Sequence, residues 1–278
     1  MTIFEQPKID THHHVFDPAR FPYLPDTPYR PEGHEIGTAD YYRAVMQAYN
    51  IRHSLIVGPT SGYNTDSACL LDALEEGNGR FKGVAVVPFD ITQDRLAHLK
   101  QAGVVGIAMN VAMLGTEPFL HLDRLMGDLA ELDLFAAIQV QDDQLLALLP
   151  LINRTRTRLL IDHSGRPEVS KGLQQPAFQA LLGLAGQQRT WVKLSGLSKF
   201  SHQPFPYQDG HAYQHALLDA FGAEHCMWGS DWPFLRAGHR MDLGTLLMLV
   251  EQLFPDEKTR HQILWQTPKD LFDFKDYA

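Results

Sequence analysis

Cysteine is almost missing from this 278-residue chain, which has only Cys69 and Cys226. Two thiols can build neither a disulfide scaffold nor a thiolate metal cage, so reduced thiols and a cytoplasmic location are expected. Positive charge is also short: 24 Lys plus Arg stand against 33 Asp plus Glu, for a formal net charge of -9, with no basic run. The phosphate attraction on which nucleic-acid binders rely is absent. No stretch approaches the roughly 18 apolar residues of a membrane span, and Met1 to Lys8 lacks the basic start and apolar run of a secretory signal. The expected partner is therefore a small molecule, with no nucleic acid and no membrane; a homo-oligomer stays open. No Gly/Ser-rich linker divides the chain either, which predicts one domain over residues 1–278.

What is present is apolar material in short, regular pieces. Hydrophobic residues make up 44% of the chain, enough for a core. Apolar runs rich in β-branched residues predict strands near Lys8–His14, Ser54–Gly58, Gly83–Val87, Val105–Asn110, Phe135–Val140, Leu159–His163, Trp191–Leu194 and Cys226–Gly229. Segments with helical spacing fall between them: 40–49, 66–76, 93–102, 120–132, 143–149, 176–186, 212–221 and 243–253. Eight such βα units predict an α/β fold of the (β/α)8 TIM-barrel type, with an open doubly wound sheet as the rival. Two long loops, 17–37 and 195–210, follow strands and so fall on the barrel's catalytic face, where they read as lids. Residues 257–274 read as helical, interrupted by Pro268 and packed against the outside or bottom of the barrel.

The chemistry-bearing residues sit at strand ends. In Asp10-Thr-His-His-His14, period-two alternation separates His12 and His14 from His13. Ile9 and Val15 share the His13 face, which suits contact with the helices, so His12 and His14 are assigned to the interior. There they could polarise a carbonyl or bind a metal. His163 ends the sixth strand, followed by Arg166, whose guanidinium offers a fork for a carboxylate or lactone oxygen. Asp231 ends the eighth, where neighbouring imidazoles or a metal would keep its carboxylate ionised and ready to act as a general base.

These local motifs, Asp10-Thr-His-His-His14-Val-Phe, Ile161-Asp-His-Ser-Gly-Arg-Pro167 and Trp228-Gly-Ser-Asp-Trp-Pro233 above all, resemble the amidohydrolase superfamily. The nearer likeness is to its group of 2-pyrone-4,6-dicarboxylate lactonase, sugar-acid lactonases and galactarolactone isomerases. The resemblance implies that Asp231 activates water while His12, His14 and His163 hold and polarise a lactone carbonyl. It also implies substrate contacts from Tyr29, Thr60, Arg166 and Lys199. Asn110 matches the group's fourth-strand pattern, whereas Ala108 and Leu114 stand where the dicarboxylate lactonase has arginines. Without those cations a lactone bearing one carboxylate or none is expected. Gln139 on the fifth strand suits substrate hydroxyls, and Lys193 on the seventh could reach an oxyanion. The fifth strand offers neither His nor Lys, so no cofactor is expected to be required; zinc is allowed, on His12, His14 and Asp231.

The sequence thus predicts a lactone hydrolase. Its rivals are a 1,5-to-1,4 lactone isomerase on the same site, a zinc-dependent decarboxylase, and a non-catalytic sugar-acid binding protein.

Overall fold

The computed structural model describes residues 2–275. Eight strands run in parallel in sequence order, β1 to β8: Lys8–His13, Ile51–Val57, Phe81–Ala85, Val104–Asn110, Phe135–Gln139, Arg158–Ile161, Thr190–Lys193 and Cys226–Met227. β8 is only two residues long, and the seam back to β1 is made beyond its end. Thr11 N donates to Trp228 O at 3.1 Å, Asp231 N to His12 O at 2.7 Å, and His14 N to Trp232 O at 2.8 Å. The result is a nearly closed (β/α)8 barrel.

Outer helices Ala39–Ala48, Ala68–Glu76, Gln93–Gln101, Asp123–Glu131, Gln144–Arg154, Pro176–Gly183, Gln208–Phe221 and Leu243–Leu253 surround the strands. Their starts follow simple local chemistry: the Thr38 and Thr92 hydroxyls accept from Tyr41 N and Arg95 N, satisfying amides that have no partner within the helix. No helix of the described residues is long and apolar enough to cross a membrane.

Two apolar clusters divide the barrel wall by strand parity. One face of the strands meets the helices; the other fills the interior with Leu55, Val84, Phe135, Leu160 and Met227. Ile9 belongs to that interior cluster, which corrects the expectation that it faces the helices. The β1–β2 ladder shifts register between Asp10 and His13, so parity counted from Ile9 does not carry through to the histidines. His13 packs outward, stacked on Tyr42 with its Nε2 2.9 Å from Ser54 Oγ.

The C-terminal segment closes the bottom of the barrel. It comprises Glu257–His261, a π-helical turn Gln262–Gln266, and Thr267–Phe272. Pro268 directly follows the π-helical turn in one unbroken run of helical backbone, so the segment is helical and its regular α-helical hydrogen bonding is interrupted at the proline. Phe272 and Phe274 then join the interior cluster. With one end of the barrel plugged, the other is left for a site.

Candidate active site

A cavity of about 530 Å³ opens at the C-terminal ends of the strands. Asp231, 5% exposed, lies on its floor. Three imidazoles converge on one of its oxygens: His14 Nε2 is 3.5 Å from Oδ1, His163 Nε2 3.6 Å and His12 Nε2 3.7 Å. The other oxygen, Oδ2, lies 2.9 Å from Lys199 Nζ, which also donates to Leu235 O at 2.8 Å.

Strand parity brings Asp231 inward, since Met227 belongs to the interior cluster and residue 231 follows it by two steps of two. His163 arrives differently. Leu160 faces the interior, so alternation carries Asp162 inward and His163 outward. β6 ends at Ile161, and His163 adopts a left-handed conformation, φ 50°, that turns its side chain back to the cavity. Asp231 is left-handed too, φ 61°. Such backbone costs about 1–3 kcal/mol at a residue with a side chain and persists where the surroundings impose it.

Behind the imidazoles, each Nδ1 faces an oxygen. His14 Nδ1 donates to Val57 O at 2.8 Å, His163 Nδ1 lies 3.1 Å from Ser195 Oγ, and His12 Nδ1 lies 3.4 Å from Asp162 Oδ1. Beneath His12, Lys193 is fully buried, with Nζ 2.8 Å from Asp162 Oδ1 and 3.2 Å from His12 Nδ1. Asp10 ties the two strand ends together, accepting from Ser230 N at 2.8 Å and from His12 N at 3.1 Å.

The charges follow from these neighbours. Burial pushes the Asp231 carboxyl up, but the Lys199 ammonium and the surrounding imidazoles outweigh it and hold the acid well below the usual carboxylate range. Burial drives His163 well below the usual imidazole value, and burial with the charge of Lys193 lowers His12. The resting site therefore presents a carboxylate beside neutral His12 and His163.

The donor set fits a metal ion. His12, His163 and Asp231 each offer a ligand atom, all within 4.8 Å of one another. Two ligands of a tetrahedral zinc lie about 3.4 Å apart, close to the 3.6 and 3.7 Å from Asp231 Oδ1 to the Nε2 atoms of His163 and His12. The metal set expected from sequence contained His14 in place of His163. The cluster contains His163, because the third ligand is set by where strand ends converge in space and not by nearness in sequence.

Of the other expected contacts, Thr60, Asn110, Gln139, Arg166 and Lys199 line the cavity, with Asn110 Nδ2 donating to Thr60 Oγ1 at 3.3 Å. Two do not. Lys193 is sealed under His12 and engaged by Asp162, so it reaches no oxyanion in the cavity. The Tyr29 hydroxyl donates to Glu35, and no residue of loop 17–37 lines the cavity. Loop 195–210 does contribute, through Ser198 and Lys199. Trp232 packs beside Gly37 and Tyr42.

Sequence reasoning passed over Asp162 and Arg236, both on the cavity. Asp162 could have been found by counting two from Leu160. Arg236 sits in a loop with no periodicity to reveal it.

Comparison with known proteins supplies the wider context. The family described as Amidohydrolase matches residues 9–274. The chain is 35% identical to a 4-sulfomuconolactone hydrolase of Rhizobium radiobacter, over 95% of this chain and 89% of that one. It is 28% identical to a D-galactarolactone isomerase of Agrobacterium fabrum, over 97% and 92% of the two chains. A solved structure from Pseudomonas putida, provisionally described as a 2-pyrone-4,6-dicarboxylic acid hydrolase, superposes with a TM-score of 0.87 at 27% identity, covering 98% of this chain and 100% of that one.

Proposed function

The chain belongs to the amidohydrolase family, and from that premise we propose that it is a lactone hydrolase whose general base is Asp231. The observation that carries this reading is the convergence of three imidazole nitrogens, at 3.5 to 3.7 Å, on one oxygen of a buried, ionised carboxylate in an open cavity. The relatives named above as acting on lactones, by hydrolysis or isomerisation, support the substrate class.

In the proposed reaction the lactone carbonyl enters above His12, His14 and His163. Water beside Asp231 Oδ1 gives that oxygen a proton, and the hydroxide adds to the carbonyl carbon. Lys199, 2.9 Å from Asp231 Oδ2, offsets the negative charge that passes from the acid to the tetrahedral oxyanion. The ring C–O bond breaks as the intermediate collapses, and protonated Asp231 returns its proton to the leaving alkoxide. Ser195, Val57 and Asp162 hold the three rings in register throughout. Zinc bound to His12, His163 and Asp231 would add Lewis acidity at the carbonyl oxygen.

Thr60, Asn110, Gln139 and Gln141 give the cavity a polar wall suited to substrate hydroxyls. The same wall supports the isomerase alternative, in which a substrate hydroxyl replaces water. In this reading the whole chain, 1–278, is one hydrolase domain, loop 195–210 covers the site, and the two buried, free cysteines suit a cytoplasmic enzyme.

Acid release from freshly prepared sugar lactones, sugar-acid lactones and an unsaturated carboxylated lactone, followed with protein of measured metal content, tests this. Release that disappears in Asp231→Asn is expected. NMR showing a rearranged lactone without acid would shift the assignment to isomerisation, and a silent panel would overturn both.

A further inference from the structure

Two arginines on the cavity make no ion pair. Among the described residues, neither the Arg166 nor the Arg236 guanidinium takes part in the arginine ion pairs, which Arg20, Arg43, Arg124, Arg154, Arg158 and Arg240 make. Arg166 is half-buried and its Nε has no hydrogen-bond partner; burial lowers its guanidinium, the charges of Asp231 and Asp142 act the other way, and that of Arg236 opposes its own. On the floor, by contrast, Lys193 faces Asp162 and Lys199 faces Asp231. The lysines on the floor are paired, and the two guanidiniums on the cavity are not, on a chain whose net charge is -9.

Arg236 is held in a way that keeps its fork free. It adopts φ 57°, and its backbone N donates to Glu35 Oε1 at 2.5 Å. The other oxygen of Glu35, a residue 6% exposed, accepts from the Tyr29 hydroxyl. The guanidinium then lies over the Tyr29 ring, 5.5 Å from its centroid. A buried carboxylate this near would ordinarily neutralise an arginine. Here its oxygens accept from a backbone amide and a phenol and it makes no ion pair with the guanidinium, whose N–H donors stay available to a ligand.

We infer that Arg236, with Arg166 as a second fork, recognises an anionic substituent of the substrate, a carboxylate or sulfonate carried away from the reacting carbonyl. Tyr29 and Glu35 are positioning residues that aim Arg236. The word substrate rests on the lactonase reading; the anion site does not. It also accounts for Ala108 and Leu114, since a grip from the eighth-strand loop makes fourth-strand cations unnecessary. Loop 17–37 then serves the site without lining it.

The test compares wild type with Arg236→Met, Arg236→Lys and Glu35→Gln on a pair of lactones that share a ring and differ by one carboxylate or one sulfonate. A charged hydrogen bond is worth about 1.5 to 3 kcal/mol, so the anionic-to-neutral ratio of kcat/KM falls about 10- to 100-fold in Arg236→Met, through KM. Arg236→Lys restores part of the ratio, because it keeps the charge and loses the fork. Glu35→Gln lowers the ratio in the same direction. Whichever of the two anions shows the larger fall identifies the group recognised. A ratio unchanged in Arg236→Met overturns the inference.

If wild type opens neither lactone, it is the lactonase reading that fails. Calorimetry with citrate and with 1,2-ethanedisulfonate then decides the anion site. Binding weakened about tenfold or more in Arg236→Met supports it, and equal Kd values in the two proteins overturn it.

Discussion

Lys199 Nζ lies 2.9 Å from Asp231 Oδ2, on the oxygen that the three imidazoles leave free. Burial alone would raise the Asp231 carboxyl, and Lys199 is the strongest single influence in the other direction. Replacing it by Met leaves the desolvation and removes the cation, so the carboxyl titrates higher. The acid limb of the kcat/KM profile is expected to move to higher pH in Lys199→Met, with the maximum lowered. A profile lowered uniformly, with its acid limb in place, would detach that limb from Asp231.

Asp231→Asn keeps the side chain's size and removes its ability to take a proton. General-base catalysis contributes about 10²- to 10⁴-fold, so kcat on a lactone that wild type opens should fall by that order, measured by acid release. A fall of less than tenfold would assign the base elsewhere.

Gly196 is the position where the backbone itself guards the site. Its φ is 72°, and a Cβ there would lie 2.5 Å from His163 Cβ and 2.8 Å from His163 Nδ1. Gly196→Ala therefore meets a left-handed penalty of about 1–2 kcal/mol and pushes His163 from its hydrogen bond with Ser195. Activity should drop far more than stability does, read as kcat/KM beside a thermal melt. Equal activity would show that the position of His163 is not critical.

The barrel was legible because each strand is a short apolar run and each helix a separate amphipathic one; all eight strands lie where those runs fall. The site was legible in part. His12, His14 and Asp231 follow strand parity closely enough to be placed, although the argument through Ile9 failed at a register shift that no residue type announces. His163 reaches the cavity against parity, through a left-handed backbone that sequence does not display. Lys193 illustrates the opposite failure: it lies on the interior face, but one layer too deep. Tyr29 was sought as a direct contact and instead supports Arg236 from beneath, a relation between two loops far apart in the chain.

Burial lowers His12, His13 and His163. In the unfolded chain these imidazoles take up protons near pH 6.5, whereas the folded protein resists. Between those values the unfolded state binds more protons, so stability falls as pH drops below about 6.5, by up to about 1.4 kcal/mol per pH unit for each imidazole. Melting temperature should fall steadily from pH 7 to pH 5, and His13→Gln, away from the cavity, should reduce the slope. A flat melting temperature over that range would contradict the buried, neutral state.

Zinc distinguishes the two ligand sets. A ligand that binds only the folded state stabilises it by about 2.7 kcal/mol at a hundredfold excess over its Kd, so metal-stripped protein should melt higher when zinc is added. The spatial cluster consists of His12, His163 and Asp231 and does not include His14. The zinc-induced shift should vanish in His163→Ala and survive in His14→Ala. The reverse pattern would restore the set drawn from strand one. A shift that persists in both variants would place the ion elsewhere and leave the three imidazoles free to act on the carbonyl directly.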